Sequence, residues 1–260
     1  MKRIVIVAAV ALGVALLPGP ATVRARGTGH AGGPVIASAS AVITAEGGDL
    51  VVDVIVVASD QDHADAEAQA ALHRRYPSAA PLGTKARGGS GGYTVNGLNW
   101  TAQPVLVNYN DAGSPLTGAL SDLTAAMQTW TDVPSSSFAY AYGGGTARCP
   151  SLVDECAGRS YFDGHNDVGW IDLADPSLLA ITWWGTKTPE FDIAIDNANY
   201  AWLAGCTSNY SLQTTLLHEL GHALGLGHSK DPGSIMYATY LGPRCALGPG
   251  DVQGVTALYP

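Results

Sequence analysis

The residues with the most chemistry in them sit at 218–228, His-Glu-Leu-Gly-His-Ala-Leu-Gly-Leu-Gly-His. His218 and His222 are four apart. On an α-helix that spacing puts both imidazoles on one face, so both can reach one ion at the short distance zinc requires. Glu219 lies between them and could hold a water on that ion. Gly225 suits a helix end, because glycine tolerates the left-handed turn needed there. The returning chain can then bring His228 in as a third ligand. Three protein ligands leave a fourth position for water, which marks a catalytic rather than a structural zinc site. A bare His pair at helical spacing would be unremarkable; five specified residues at fixed offsets, three of them His, are not.

These side chains need elements to hold them. A helix over 211–224, capped by Ser208 or Ser211, carries an apolar face of Leu212, Leu216 and Leu220. Leu116, Leu120, Leu123, Met127 and Trp130 recur at three and four residues, so 115–131 reads as an amphipathic core helix. Strands are expected at 104–109, 137–142, 168–173, 179–184 and 191–196, and a final helix at 251–259. Upstream, the β-rich runs 35–45 and 50–58 flank Glu46-Gly47-Gly48-Asp49 and read as a hairpin. An Ala-rich helix over 62–75 follows, then a Pro-, Gly- and Ser-rich linker at 81–92. Residues 26–92 are therefore expected to form a small unit, with His63 and His73 facing solvent.

Net charge is -9 over 260 residues, which argues against nucleic acid and against an anionic membrane surface as partners. Lys2 and Arg3 precede an uncharged run from Ile4 to Leu17, broken by Pro18-Gly19-Pro20, with small residues at Ala21 and Ala25. That pattern predicts a signal peptide over 1–25 and a secreted, extracellular protein. Cys149, Cys156, Cys206 and Cys245 fit an oxidising compartment; of their three possible pairings, Cys149–Cys156 with Cys206–Cys245 is favoured. Asp163, Asp167, Asp192 and Asp196 could offer oxygens to Ca2+, but no calcium loop of fixed spacing is present, which favours ordinary strand-end carboxylates.

His218-Glu219-x-x-His222-x-x-Gly225-x-x-His228 followed by Met236 resembles the metzincin metalloprotease signature. Ser229 after the third His, the segment Asp231-Pro232-Gly233-Ser234-Ile235-Met236-Tyr237, and Leu247 to Tyr259 resemble the matrixin (matrix metalloproteinase-like) branch, bacterial-type. The resemblance covers about residues 95–260. It implies an α+β, zincin-like catalytic domain over 93–260, with a twisted, mostly parallel five-stranded sheet, an antiparallel edge strand, an active-site helix and a C-terminal helix. It further implies one catalytic Zn2+ on His218, His222 and His228, and Glu219 as general base and acid in peptide-bond hydrolysis. Met236 would floor the site, Tyr240 would wall a substrate pocket, and Leu179-Ala180-Ile181 would pair with an extended protein or peptide substrate. A monomer is expected.

Three departures qualify the resemblance. Ile181 and Glu190 stand where ligands of a second, structural zinc are expected. Gly250 replaces an Asp that would pair with a mature amino terminus. Every cysteine lies at 149 or later, so residues 26–92, a propeptide-like or accessory segment, cannot block the zinc with a thiolate. The rival readings are a secreted non-catalytic peptide-binding protein on the same scaffold and a structural zinc module, the latter wanting a fourth protein ligand.

Overall fold

The computed structural model describes residues 34–45, 48–82, 92–153, 155–156, 162–207 and 210–260. The expected signal peptide, most of the linker and the candidate cap Ser208 lie outside them. In chain order the elements are β1 (Val35–Ala45), β2 (Gly48–Ala58), α1 (Ala64–Arg75), β3 (Ala80–Pro81), β4 (Thr94–Val95), β5 (Val105–Asn110), α2 (Ala119–Thr131) and β6 (Tyr140–Gly145). They continue with β7 (Asp167–Ile171), β8 (Leu178–Gly185), β9 (Phe191–Asp196), α3 (Leu212–Leu224), β10 (Leu226–Gly227), β11 (Thr239–Leu241) and α4 (Pro249–Leu258). No helix among the described residues is long and apolar enough to cross a membrane.

Strands β6, β5, β7 and β9 run parallel, and β8 pairs antiparallel with β9. That is the expected five-stranded sheet with its antiparallel strand. The sheet does not stop at β8. Its full order is β11-β1-β2-β8-β9-β7-β5-β6, with β3 attached to β1. The amino-terminal hairpin therefore shares the sheet of the carboxy-terminal region, and β2 covers the edge of β8 that the sequence left open.

Both faces of this sheet are covered, which explains why β2 reads as a near-continuous apolar run rather than an alternating one. Val51 and Ile55 join the first core, which holds α2, α3 and the aromatic residues Trp130, Phe138, Tyr140 and Trp184. Leu50, Val52, Val54 and Val56 face the second core, beneath Ala64, Ala68, Ala71 and Leu72 of α1. Trp183 and Ile181 of β8 face that second core too. His63 and His73 are exposed, as expected.

Helix α3 begins at Ser211, whose hydroxyl accepts from Thr214 N at 3.0 Å. The last carbonyls of a helix have no intrahelical donor. Here Trp100 Nε1 donates to Ala223 O at 2.7 Å and Tyr259 Oη to Leu224 O at 2.6 Å. Trp130 Nε1 and Tyr140 Oη reach Leu217 O and Leu220 O. Four aromatic donors from four parts of the chain thus fix the rotation of the helix about its axis. Both expected disulfides are present, Cys149–Cys156 and Cys206–Cys245; the second ties the segment before α3 to the segment after β11.

Candidate metal centre

Helix α3 ends at Gly225, where φ is +120° and a Cβ would stand 2.5 Å from Leu98 O. Only glycine fits both demands. The chain then turns back as β10, which pairs with β4 through Leu226↔Val95 and Gly227↔Thr94. Thr94 Oγ1 donates to His228 O at 2.7 Å, fixing the residue that follows the turn. Sequence spacing and turn chemistry together deliver His228 to the face of α3 that carries His218 and His222.

The imidazoles are oriented as metal ligands. His218 Nδ1 donates to Ile235 O at 2.8 Å, and His222 Nδ1 donates to Leu226 O at 2.9 Å. With the proton fixed on Nδ1, each Nε2 presents its lone pair inward. These two Nε2 atoms lie only 3.1 Å apart. Two lone pairs facing one another in a buried site repel unless a cation lies between them. Burial lowers His218 to about 4 and His228 to about 3, and pushes His222 well below its ordinary value, so all three rings are neutral near pH 7. Trp184 stacks on His222 at 5.3 Å and 9°.

A fourth donor completes the cluster. Asp53 of β2 brings Oδ1 to 3.3 Å from His228 Nε2 and 3.7 Å from His222 Nε2. The four groups place one ligand atom each within 4.8 Å of one another. Ser38 of β1 also reaches in, with Oγ 2.7 Å from His228 Nε2. Neither residue carries a local sequence signal for metal binding. The usable clue to Asp53 is that it is the only charged residue between Leu50 and Ala58. Tetrahedral zinc with ligands at about 2.0–2.1 Å would set them about 3.3 Å apart. Three neutral imidazoles and a carboxylate at these separations fit a zinc ion.

Glu219 is fully buried, and neither carboxylate oxygen has a hydrogen-bond partner among the described residues. Burial is the main reason its carboxyl is pushed up, to about 8. The Thr182 hydroxyl, likewise unpartnered, is the polar group set against it.

Met236 lies under α3, where its Sδ would be 2.2 Å from a Cβ at Gly221. That turn is held from below by Asp251, a residue whose role the sequence did not reveal. Its carboxylate accepts from Ser234 Oγ and from the amides of Ile235, Met236 and Gly248. Ile235 supplies the carbonyl that orients His218, so Asp251 acts on that imidazole through one intermediate residue. The residues suggested for calcium serve protein donors instead. Asp167 pairs with Arg148 at 2.7 and 2.8 Å, and Asp192 accepts from Asp167 N. Asp196 accepts from Leu173, Ala198 and Asn199 amides, and Asp163 from His165 N. No calcium site is shown. Ile181 is a core residue and Glu190 accepts the amides of Asp163 and Gly164.

The matrixin family model (Peptidase_M10) matches residues 119–260, more than half of the chain. The chain belongs to the matrixin family. It is 57% identical over 101 residues to a probable matrix metalloproteinase of Invertebrate iridescent virus 3, covering 37% of this chain and 27% of the viral protein. It is 34% identical over 138 residues to matrix metalloproteinase-20 of Homo sapiens, covering 52% of this chain and 26% of that protein. It is 41% identical over 71 residues to matrilysin of Rattus norvegicus, covering 26% of each chain. This matrixin chain thus spans about a quarter of the length of these relatives. They are viral and vertebrate, so the narrowing to a bacterial-type branch is not borne out.

Proposed function

We propose that this matrixin is a secreted zinc-dependent endopeptidase, with His218, His222 and His228 holding the metal and Glu219 as its acid–base group. The observation that carries the reading is the convergence of three oriented imidazoles beside a buried, unpartnered carboxylate. Zinc bound there supplies a Lewis acid that polarises a scissile carbonyl and acidifies a water. Glu219 takes the proton from that water and returns it to the leaving nitrogen. A carboxylate suits the role because the same group must accept the proton and return it near neutral pH. The Thr182 hydroxyl stands ready to steady it. Met236 and Asp251 keep the ligand set rigid from below.

Substrates are proteins or peptides bound in extended form, through the main-chain hydrogen bonds that an edge such as that of β8 offers. The basic start and apolar run at Lys2–Leu17 support export, and the two disulfides fit an oxidising compartment. The test is metal content of the chain together with casein hydrolysis by the zinc-loaded, processed protein, with and without a zinc chelator. One zinc per chain, lost in His218→Ala, and hydrolysis abolished by the chelator are expected. Hydrolysis that survives complete zinc removal would refute the reading.

A further inference from the structure

Strand β2 lies along the β8 edge, where the reading above would seat an extended substrate. It pairs antiparallel with β8 from Leu50↔Gly185 to Val56↔Leu178 and consumes that edge. Asp53 stands opposite Thr182, in the middle of the pairing. It is wholly buried, accepts a hydrogen bond from Ser40 Oγ, and leaves Oδ2 without a partner. A carboxylate so placed, facing lone pairs of neutral imidazoles, is costly unless a cation joins them. Three of the separations, 3.1, 3.3 and 3.7 Å, bracket the spacing of about 3.3 Å that tetrahedral zinc requires.

We propose that Asp53 is the fourth protein ligand of the zinc, and that the β1–β2 hairpin holds the intact chain latent by occupying the place of a substrate strand. This rests on the zinc reading above. A carboxylate at the fourth corner displaces the water that Glu219 needs, and β2 denies substrate the β8 edge. The register leaves little freedom. Along β2 the side chains alternate between the two cores, and a slip of one residue would send Asp53 beneath α1 and bring an aliphatic neighbour to the metal. The hairpin is also tied down beyond the site. Its first strand pairs with β11 through Val35↔Leu241 to Ala37↔Thr239, and its Ser38 contacts His228. Helix α1 closes the second core over it, and Trp183 Nε1 donates to Tyr76 Oη at 3.0 Å. A hairpin without cysteine thereby supplies the block that a thiolate cannot. The bond from Asp53 to the metal pins β2 in place, so breaking it should release part of the activity, and full activity requires β2 to leave β8 by displacement or removal.

The experiment uses the full chain loaded with Co2+, whose visible spectrum reports coordination, titrated with acetohydroxamate, a small ligand that needs an open metal position. The wild-type spectrum should not change. Asp53→Ala and Asp53→Asn should respond, binding hydroxamate at least about tenfold more tightly, and Asp53→Ala should hydrolyse casein at least about tenfold faster. A wild-type chain that binds hydroxamate as tightly as both variants would overturn the proposal. If Asp53→Ala fails to fold by circular dichroism, the near-isosteric Asp53→Asn carries the comparison. X-ray absorption on the wild-type zinc protein then decides independently: three imidazoles and a carboxylate support the proposal, three imidazoles and water overturn it. A wild-type chain that binds no cobalt overturns this proposal and the zinc reading together. Spectra that respond as expected while casein stays intact, in every variant and after proteolytic removal of the β1–β2 hairpin, would uphold Asp53 and remove the peptidase reading alone.

Discussion

Gly225→Ala should damage both the stability of the protein and its hold on zinc. The residue has φ at +120°, and an added Cβ would sit 2.5 Å from the backbone oxygen of Leu98 and 3.1 Å from Leu258 Cδ1. Backbone strain costs about 1–3 kcal/mol. Moving a backbone carbonyl and a packed side chain costs about 1–3 kcal/mol more. The stiffer unfolded chain gives back about 0.4–1 kcal/mol. The net loss is about 1–6 kcal/mol, with about 3 kcal/mol as its centre. Urea unfolding of the metal-free protein should show it as a lower midpoint at unchanged slope. The same turn sets His228, so zinc affinity measured by chelator competition should fall about 10–100-fold. Gly205→Ala is the control. Its φ is +68° and its Cβ would meet nothing within 4 Å, so it should lose only about 1–2 kcal/mol and no zinc affinity. An unchanged midpoint and affinity in Gly225→Ala would refute the account of how the helix end positions the third ligand.

Two further outcomes follow from the same site. Asp251→Ala should cost about 2 kcal/mol or more by stranding the amides of Ile235 and Gly248, and should weaken zinc binding through the carbonyl of Ile235; unfolding and chelator competition measure both. In the metal-free protein, stability should fall as pH rises from about 6.5 towards 8. Burial raises Glu219 and Asp53, so the folded state keeps protons that the unfolded state has released, and stability drops with rising pH. The histidines act in the opposite sense and only below 6.5, where the unfolded rings take up protons that the folded ones refuse. Urea midpoints taken across that range would show it, and a flat profile above pH 6.5 would contradict it.

The cluster proposed to hold the metal was legible because its signals are local. The i, i+4 histidines, the Gly225 stop and Ser211 as cap are all set within one helix and its ends, and α3 spans Leu212–Leu224 almost as the spacing predicts. The strands β5 to β9 followed from apolar runs and their turns, whereas their assembly into one mostly parallel sheet with an antiparallel strand was implied by the family resemblance. Helix α2 starts at Ala119 rather than 115, since Gly118 with φ at +90° sets its first turn. What the sequence did not reveal are pairings between distant segments. Nothing near Asp53 states that β2 will lie against β8, more than 120 residues on, with Asp53 opposite Thr182. The apolar run of β2 reads equally well as a free-standing hairpin. Its burial on both faces becomes visible only when α1 and the first core are placed around it. Asp251 was hidden for a similar reason. It reads as a first-turn helix acid, and its value lies in a turn that ends 15 residues earlier.

The most direct test of the central claim compares Asp53→Ala with Asp53→Ala/Glu219→Gln, measuring zinc content and casein hydrolysis side by side. Both should hold one zinc, because Glu219 is not among the ligands, and the second should be slower by about 100-fold or more for want of a proton acceptor. Equal hydrolysis by the two would contradict the assignment of Glu219 and with it the proposed chemistry of the site.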